Sequence, residues 1–204
     1  MNGANLYQER LSDLTIEQRE LLFGGSLSQR FSKLPLSLSH PAIISAFYAF
    51  LVSLGLFLPL GYEANWVVSD WFGIWSVFVV ILMLLLSILG QISIFMIKIT
   101  KRLPIHSPRK ILYRLPFLGL LLVSAQLSMS FLEEYVFILN LGVLFLIIPG
   151  PIYVHLSWAP RWRMLVLLDE GVEPFTDEQL ESTTISESSD IDVEQVVDEV
   201  SLEK

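Results

Sequence analysis

No cysteine occurs anywhere in the chain. Disulfides, thiolate nucleophiles, cysteine-based metal sites and S-acylation are therefore excluded. Charge is missing where its absence says most. Between Asp70 and Lys98 there is no acidic or basic residue, and the 27 residues 71–97 read WFGIWSVFVVILMLLLSILGQISIFMI. A helix of that length is roughly 40 Å long at about 1.5 Å per residue. About 20 apolar residues cross a hydrocarbon layer of about 30 Å. A soluble core helix has no use for an uncharged run that covers every face, so this stretch is read as a transmembrane helix.

Bases are also missing from residues 62–70 and 130–134, the two short links between apolar runs. They fall instead before the first run, between the second and third, and after the fourth. The positive-inside rule then places both termini and the middle loop in the cytoplasm or its equivalent. The net charge of −8 hides this division. Residues 169–204 carry thirteen acids and one base, whereas the other 168 residues carry twelve bases and eight acids. A basic membrane body thus bears an acidic tail, and no basic face remains for a nucleic acid. The opening MNGANLYQERLSDL lacks the apolar core of a secretory signal peptide, so the first span is expected to act as the targeting signal.

The expected architecture is all-α: four transmembrane helices in two hairpins, over about 42–61, 71–97, 111–129 and 133–155, within a membrane domain of 41–158. Residues 1–40 form a cytoplasmic amphipathic arm. Thr15 and Gln18 fit a capping box for a short helix that stops at Gly24-Gly25. Leu27, Phe31 and Leu34, flanked by Arg30 and Lys33, suit either a membrane surface or packing on the protein's own inner face. Trp158, Arg161, Trp162 and Arg163 read as an interfacial belt, opening a cytoplasmic segment over 159–180. Residues 181–204, acidic, serine-rich and free of aromatics, read as a disordered tail.

Candidate sites are few. Ionisable groups at membrane depth mark proton-coupled transporters, acid-dyad proteases and voltage sensors, and the four spans hold none there. Gln91, Gln126 and Asn140 are the polar residues at depth, able to hydrogen-bond between helices or line a pathway. Ser45, Ala49 and Ser53 make a strip of small residues on the first span, and Ser124 and Ser128 another on the third; such strips let helices approach closely. The strip on the third span is expected to face inward with Gln126. The first-span strip is expected to face outward, because Phe47, Phe50, Leu54 and Phe57 on its other faces suit lipid. Pro149, Gly150 and Pro151 interrupt the fourth span and are the candidate hinge. Glu133 is explained by a cap with Ser130, which leaves little reason to make it and Glu134 an acid–base pair. His40, His106 and His155 come from separate segments and lack metal-ligand spacing. Thr184 and Ser189 have acids three residues on, a pattern common by chance. No catalytic, cofactor or metal site is expected.

Two functions fit. The first is a non-enzymatic membrane interaction, accessory or assembly protein. It would contact membrane lipids and a membrane or cytoplasmic protein partner, with the acidic tail as recruiting segment. The alternative is a small transporter or lipid-handling protein that uses the polar residues at depth.

Overall fold

A backbone in hydrocarbon must satisfy its polar groups internally, which a helix does along its whole length. The computed structural model describes residues 14–24, 26–105, 109–129 and 134–175, and all regular structure among them is helical. Three helices are long and apolar enough to cross a membrane: Pro41–Glu63, Val68–Thr100 and Val136–Glu170.

The arm contributes α1 (Ile16–Phe23) and α2 (Ser26–Ser32). The capping box forms, with Gln18 N–H donating to Thr15 Oγ1 at 3.2 Å and Thr15 N–H to Gln18 Oε1 at 2.9 Å. Helix α1 stops at Gly24, where any Cβ would collide with the carbonyl oxygen of Glu20. The first long helix comprises α3 (Pro41–Gly55) and α4 (Phe57–Glu63), interrupted at Leu56. Pro59 accounts for the interruption, since its ring crowds the carbonyl four residues earlier, that of Gly55. Helix α5 (Val68–Thr100) is a single rod of 33 residues, about 50 Å long.

The third span departs from expectation. In place of one helix over 111–129 there is a single turn, α6 (Arg109–Leu112), and then α7 (Leu115–Ser128) of 14 residues. Pro116 sits at the start of α7, where it has no N–H to donate to the Leu112 carbonyl four residues earlier and its ring crowds that oxygen. At about 21 Å, α7 alone is shorter than the hydrocarbon layer.

The fourth helix also departs. It does not end near His155 but runs for 35 residues, Val136–Glu170, as α8 (Val136–Ile147), α9 (Pro149–Tyr153), a π-helical turn (Val154–Trp158) and α10 (Ala159–Glu170). Pro149-Gly150-Pro151 breaks the register only at Ile148, because a proline in the first turn of a new helical segment needs no donor. The expected cap by Ser130 on Glu133, His106, and the tail from 181 onward with Thr184 and Ser189 lie outside the described residues.

Helix α3 packs on α5, α7 on α8, and α4 on α7. One apolar core (Ala49, Val52, Leu82, Leu86, Val123, Leu146) joins the two pairs. A second lies at the base-rich end, where the arm meets α10 through Leu21, Leu22, Trp158, Met164, Leu165 and Leu168.

Candidate functional site

Among the described residues this base-rich end is densely hydrogen-bonded, and it is built around two backbone carbonyls freed by one proline and a π turn. Pro160 has no N–H, so the Leu156 carbonyl four residues earlier loses its helical partner. The wider π turn diverts Ala159 N–H to Val154 O, which releases the His155 carbonyl as well. Both freed oxygens are taken by the link after α5: Ile105 N–H donates to Leu156 O at 3.0 Å and Arg102 Nη2 to His155 O at 3.2 Å. π turns of this kind are often retained where a helix must present backbone groups. Here they dock the link onto the fourth helix.

On the other side of the same turn the arm is held. Trp158 is fully buried, donates Nε1–H to Ser39 O at 2.8 Å, and meets the Phe31 ring edge-on at 5.1 Å between centroids. Arg161 is fully buried too; its Nε donates to Leu21 O at 2.9 Å, and its Nη1 to Ser157 O and Ser157 Oγ. Trp162 Nε1–H donates to Leu36 O at 2.9 Å, and Ser28 Oγ pairs with the Tyr153 hydroxyl at 3.1 Å. The arm therefore packs on the protein's own body. Trp158 and Arg161, expected in an interfacial belt, are core residues instead. The reason is that the helix continues past them and the arm covers the continuation. Mixed aromatics and arginines look alike in sequence whether lipid head groups or a chain segment cover them.

His40 caps α3, its Nδ1 accepting from Ala42 N–H at 3.2 Å, and it packs edge-on against Trp162 at 4.5 Å. Partial burial, and then the nearby charge of Lys98, hold its imidazole below the usual histidine range. Neutral Nδ1 is the form that can accept, so cap and pKa agree. Among the described residues no three His, Asp or Glu side chains stand close enough to hold a metal ion.

The base-free end carries a cluster of rings. Phe57 meets Trp71 and Trp75 edge-on at 4.7 and 5.0 Å, and Trp66 and Phe72 extend the cluster. Trp75 Nε1–H donates to Ser53 O at 2.9 Å. Rings with apolar bodies and one polar handle suit the membrane–water boundary.

The candidate residues at depth do not gather at one site. Ser45, Ala49 and Ser53 are buried, with Ala49 in the core that contains Leu82 and Leu86 of α5. The expectation that this strip faces outward is thus overturned. Phe47, Phe50 and Leu54 do face outward, and small residues on the opposite side let α5 come close. Gln126 is buried, Ser124 half-buried and Ser128 exposed. Gln91 on α5 and Asn140 on α8 are exposed. At the candidate hinge Pro149 and Gly150 are buried and Pro151 half-buried. The Tyr48 ring lies so close over Gly150 that no Cβ fits, and its hydroxyl donates to Leu146 O at 2.6 Å. The break is therefore wedged by a side chain from α3.

Three glycines matter that sequence reasoning passed over. A Cβ on Gly90 would lie 2.7 Å from both Ala42 Cα and Pro41 O. One on Gly119 would lie 2.6 Å from Gly142 O, and one on Gly142 2.9 Å from Val123 Cγ2. Small residues at helix crossings were the available signal, but only serine and alanine spacings stood out. Compared with known family models, curated proteins and solved structures, the chain matches none of them.

Proposed function

We propose that this is a non-enzymatic integral membrane protein that acts by binding other proteins, as an accessory, assembly or adaptor component. The observation that carries the reading is the orientation of the polar residues at depth. Gln91 and Asn140 lie on the outer faces of their helices, available to a neighbour in the bilayer, whereas a transport path requires them to converge inside. In this reading α7 with its flanks serves as the third of four spans, giving two hairpins with both termini and the middle link on the cytoplasmic side. Residues 181–204, rich in acids, are the recruiting segment for a cytoplasmic partner with a basic surface.

The test is affinity purification of the full chain, and of a chain ending at Phe175, from membranes in mild detergent. Proteins retained by the full chain and lost from the shortened one are the expected result. Purified protein that holds no partner in either form, and that conducts a solute in vesicles, would refute the reading in favour of transport.

A further inference from the structure

Helix α5 has two opposite faces, and the fold uses one. Toward α3 and α10 it buries Val79, Leu82, Leu86, Gly90, Ser93, Ile94 and Ile97. At about 3.6 residues per turn, the side facing away carries Ile74, Ile81, Ile88 and Phe95, seven residues apart, interleaved with Val77, Leu84, Gln91 and Lys98, also seven apart. All eight are exposed. That is a two-stranded seam in heptad form, with β-branched Ile at three of four positions of one set.

A lipid-facing helix needs apolar residues there but no amide. Gln91 has no hydrogen-bond partner among the described residues. It lies about 10 Å along the axis from Lys98 and about 24 Å from Trp75, beyond the reach of its side chain to either boundary. An exposed carboxamide at that depth is costly unless another protein satisfies it. A bilayer holds every copy of the chain in one orientation and at one depth. Two α5 helices about a twofold axis along the membrane normal therefore meet in parallel and in register, and Gln91 faces itself. A carboxamide both donates and accepts, so the pair is self-complementary.

We propose that the Ile74–Lys98 face of α5 binds a second copy of this chain in a parallel dimer whose register is set by Gln91 pairing with Gln91 of the other copy. The inference rests on the reading that this protein makes protein contacts within the bilayer, and it names one such contact.

The chain's lack of cysteine makes the test direct. Single substitutions Leu84→Cys, Ile88→Cys and Phe95→Cys on the seam, and Leu89→Cys and Met96→Cys off it, are made in the full chain in phosphatidylcholine vesicles and oxidised. Covalent dimer at the three seam positions and little at the other two is expected. Equal crosslinking at all five means random collision of lipid-facing helices and overturns the proposal, as does none at any. Without crosslinking, Gln91→Leu should weaken dimerisation about threefold to thirtyfold, the range for one interhelical polar contact, and Gln91→Asn should retain part of it. Dimerisation unchanged by Gln91→Leu overturns the role given to the amide. In native membranes, seam cysteines that crosslink to a different protein in place of a second copy overturn the choice of occupant. A chain that captures partners through its acidic tail, residues 181–204, while staying monomeric overturns this inference and leaves the proposed function standing.

Discussion

Replacing Gly90 by alanine sets two effects against each other. In a helix interior alanine is favoured over glycine by about 1 kcal/mol, so propensity alone makes the change stabilising. The tertiary contact opposes it. The new methyl would lie 2.7 Å from Ala42 Cα and Pro41 O and 2.9 Å from Ala42 N, about 1 Å inside an ordinary contact of 3.5–4.0 Å. All three atoms are backbone, so no rotamer change relieves the overlap and α3 must move off α5. A gap of 0.5–1 Å forfeits about a quarter to a half of each dispersion contact along the seam, which includes Ala49 against Leu82 and Leu86. Overpacking of this kind costs about 1–3 kcal/mol and exceeds the propensity gain over most of that range. The net expectation is a loss of up to about 2 kcal/mol for Gly90→Ala and more for Gly90→Leu. Gly73 supplies the control, because it lies on the same helix and a Cβ there meets nothing within 4 Å. Gly73→Ala should be neutral or stabilising. The assay is thermal or SDS-induced unfolding of the purified full chain in one detergent, all variants side by side. Gly90→Ala as stable as Gly73→Ala would show that α3 and α5 are not in backbone contact and would refute this packing.

Ala49→Leu, at a fully buried position of the same crossing, should lower unfolding stability by about 1–3 kcal/mol rather than leave the protein folded with an altered surface. Trp158→Ala should cost about 3–5 kcal/mol and expose the arm to trypsin at Arg19 and Arg30, whereas Trp158→Phe, which loses chiefly the bond to Ser39 O, should cost about 1 kcal/mol; arm cleavage unchanged in both would mean that Trp158 does not hold it. Tyr48→Phe removes the donor to Leu146 O and should cost about 1 kcal/mol, with Gly150→Ala worse because the ring blocks it. His40 binds its proton less readily in the folded chain than in the unfolded one, so its contribution to stability is complete above about pH 6.5 and declines as pH falls below that value; unfolding temperatures measured from pH 8 to pH 5 should fall less steeply for His40→Gln. Ala64→Cys and Ser107→Cys should label from opposite sides of sealed vesicles, and labelling of both from one side would rule out the four-span topology.

What the sequence determined by itself was whatever depends on composition along a line. The run from Trp71 to Ile97 needed only its length and lack of charge to be a long apolar helix, and Thr15 with Gln18 needed only their spacing to form a cap. Local chemistry of that kind does not depend on what packs nearby. The faces of the helices were another matter. Lipid and protein core are equally apolar, so hydropathy does not distinguish an inward leucine from an outward one. Gln91 and Gln126 look alike in sequence, yet one is exposed and the other buried. The Ser45–Ala49–Ser53 strip could be turned either way until Gly90 was seen against Ala42. The prolines at 149 and 151 announced lost hydrogen bonds, but not that the helix would run on to Glu170, nor that Arg102 and Ile105 would take the carbonyls freed farther along by the π turn and Pro160. Trp158 and Arg161 went from boundary to core for the same reason. The residues that satisfy and cover them come from more than a hundred positions away, and only the folded chain brings those positions together.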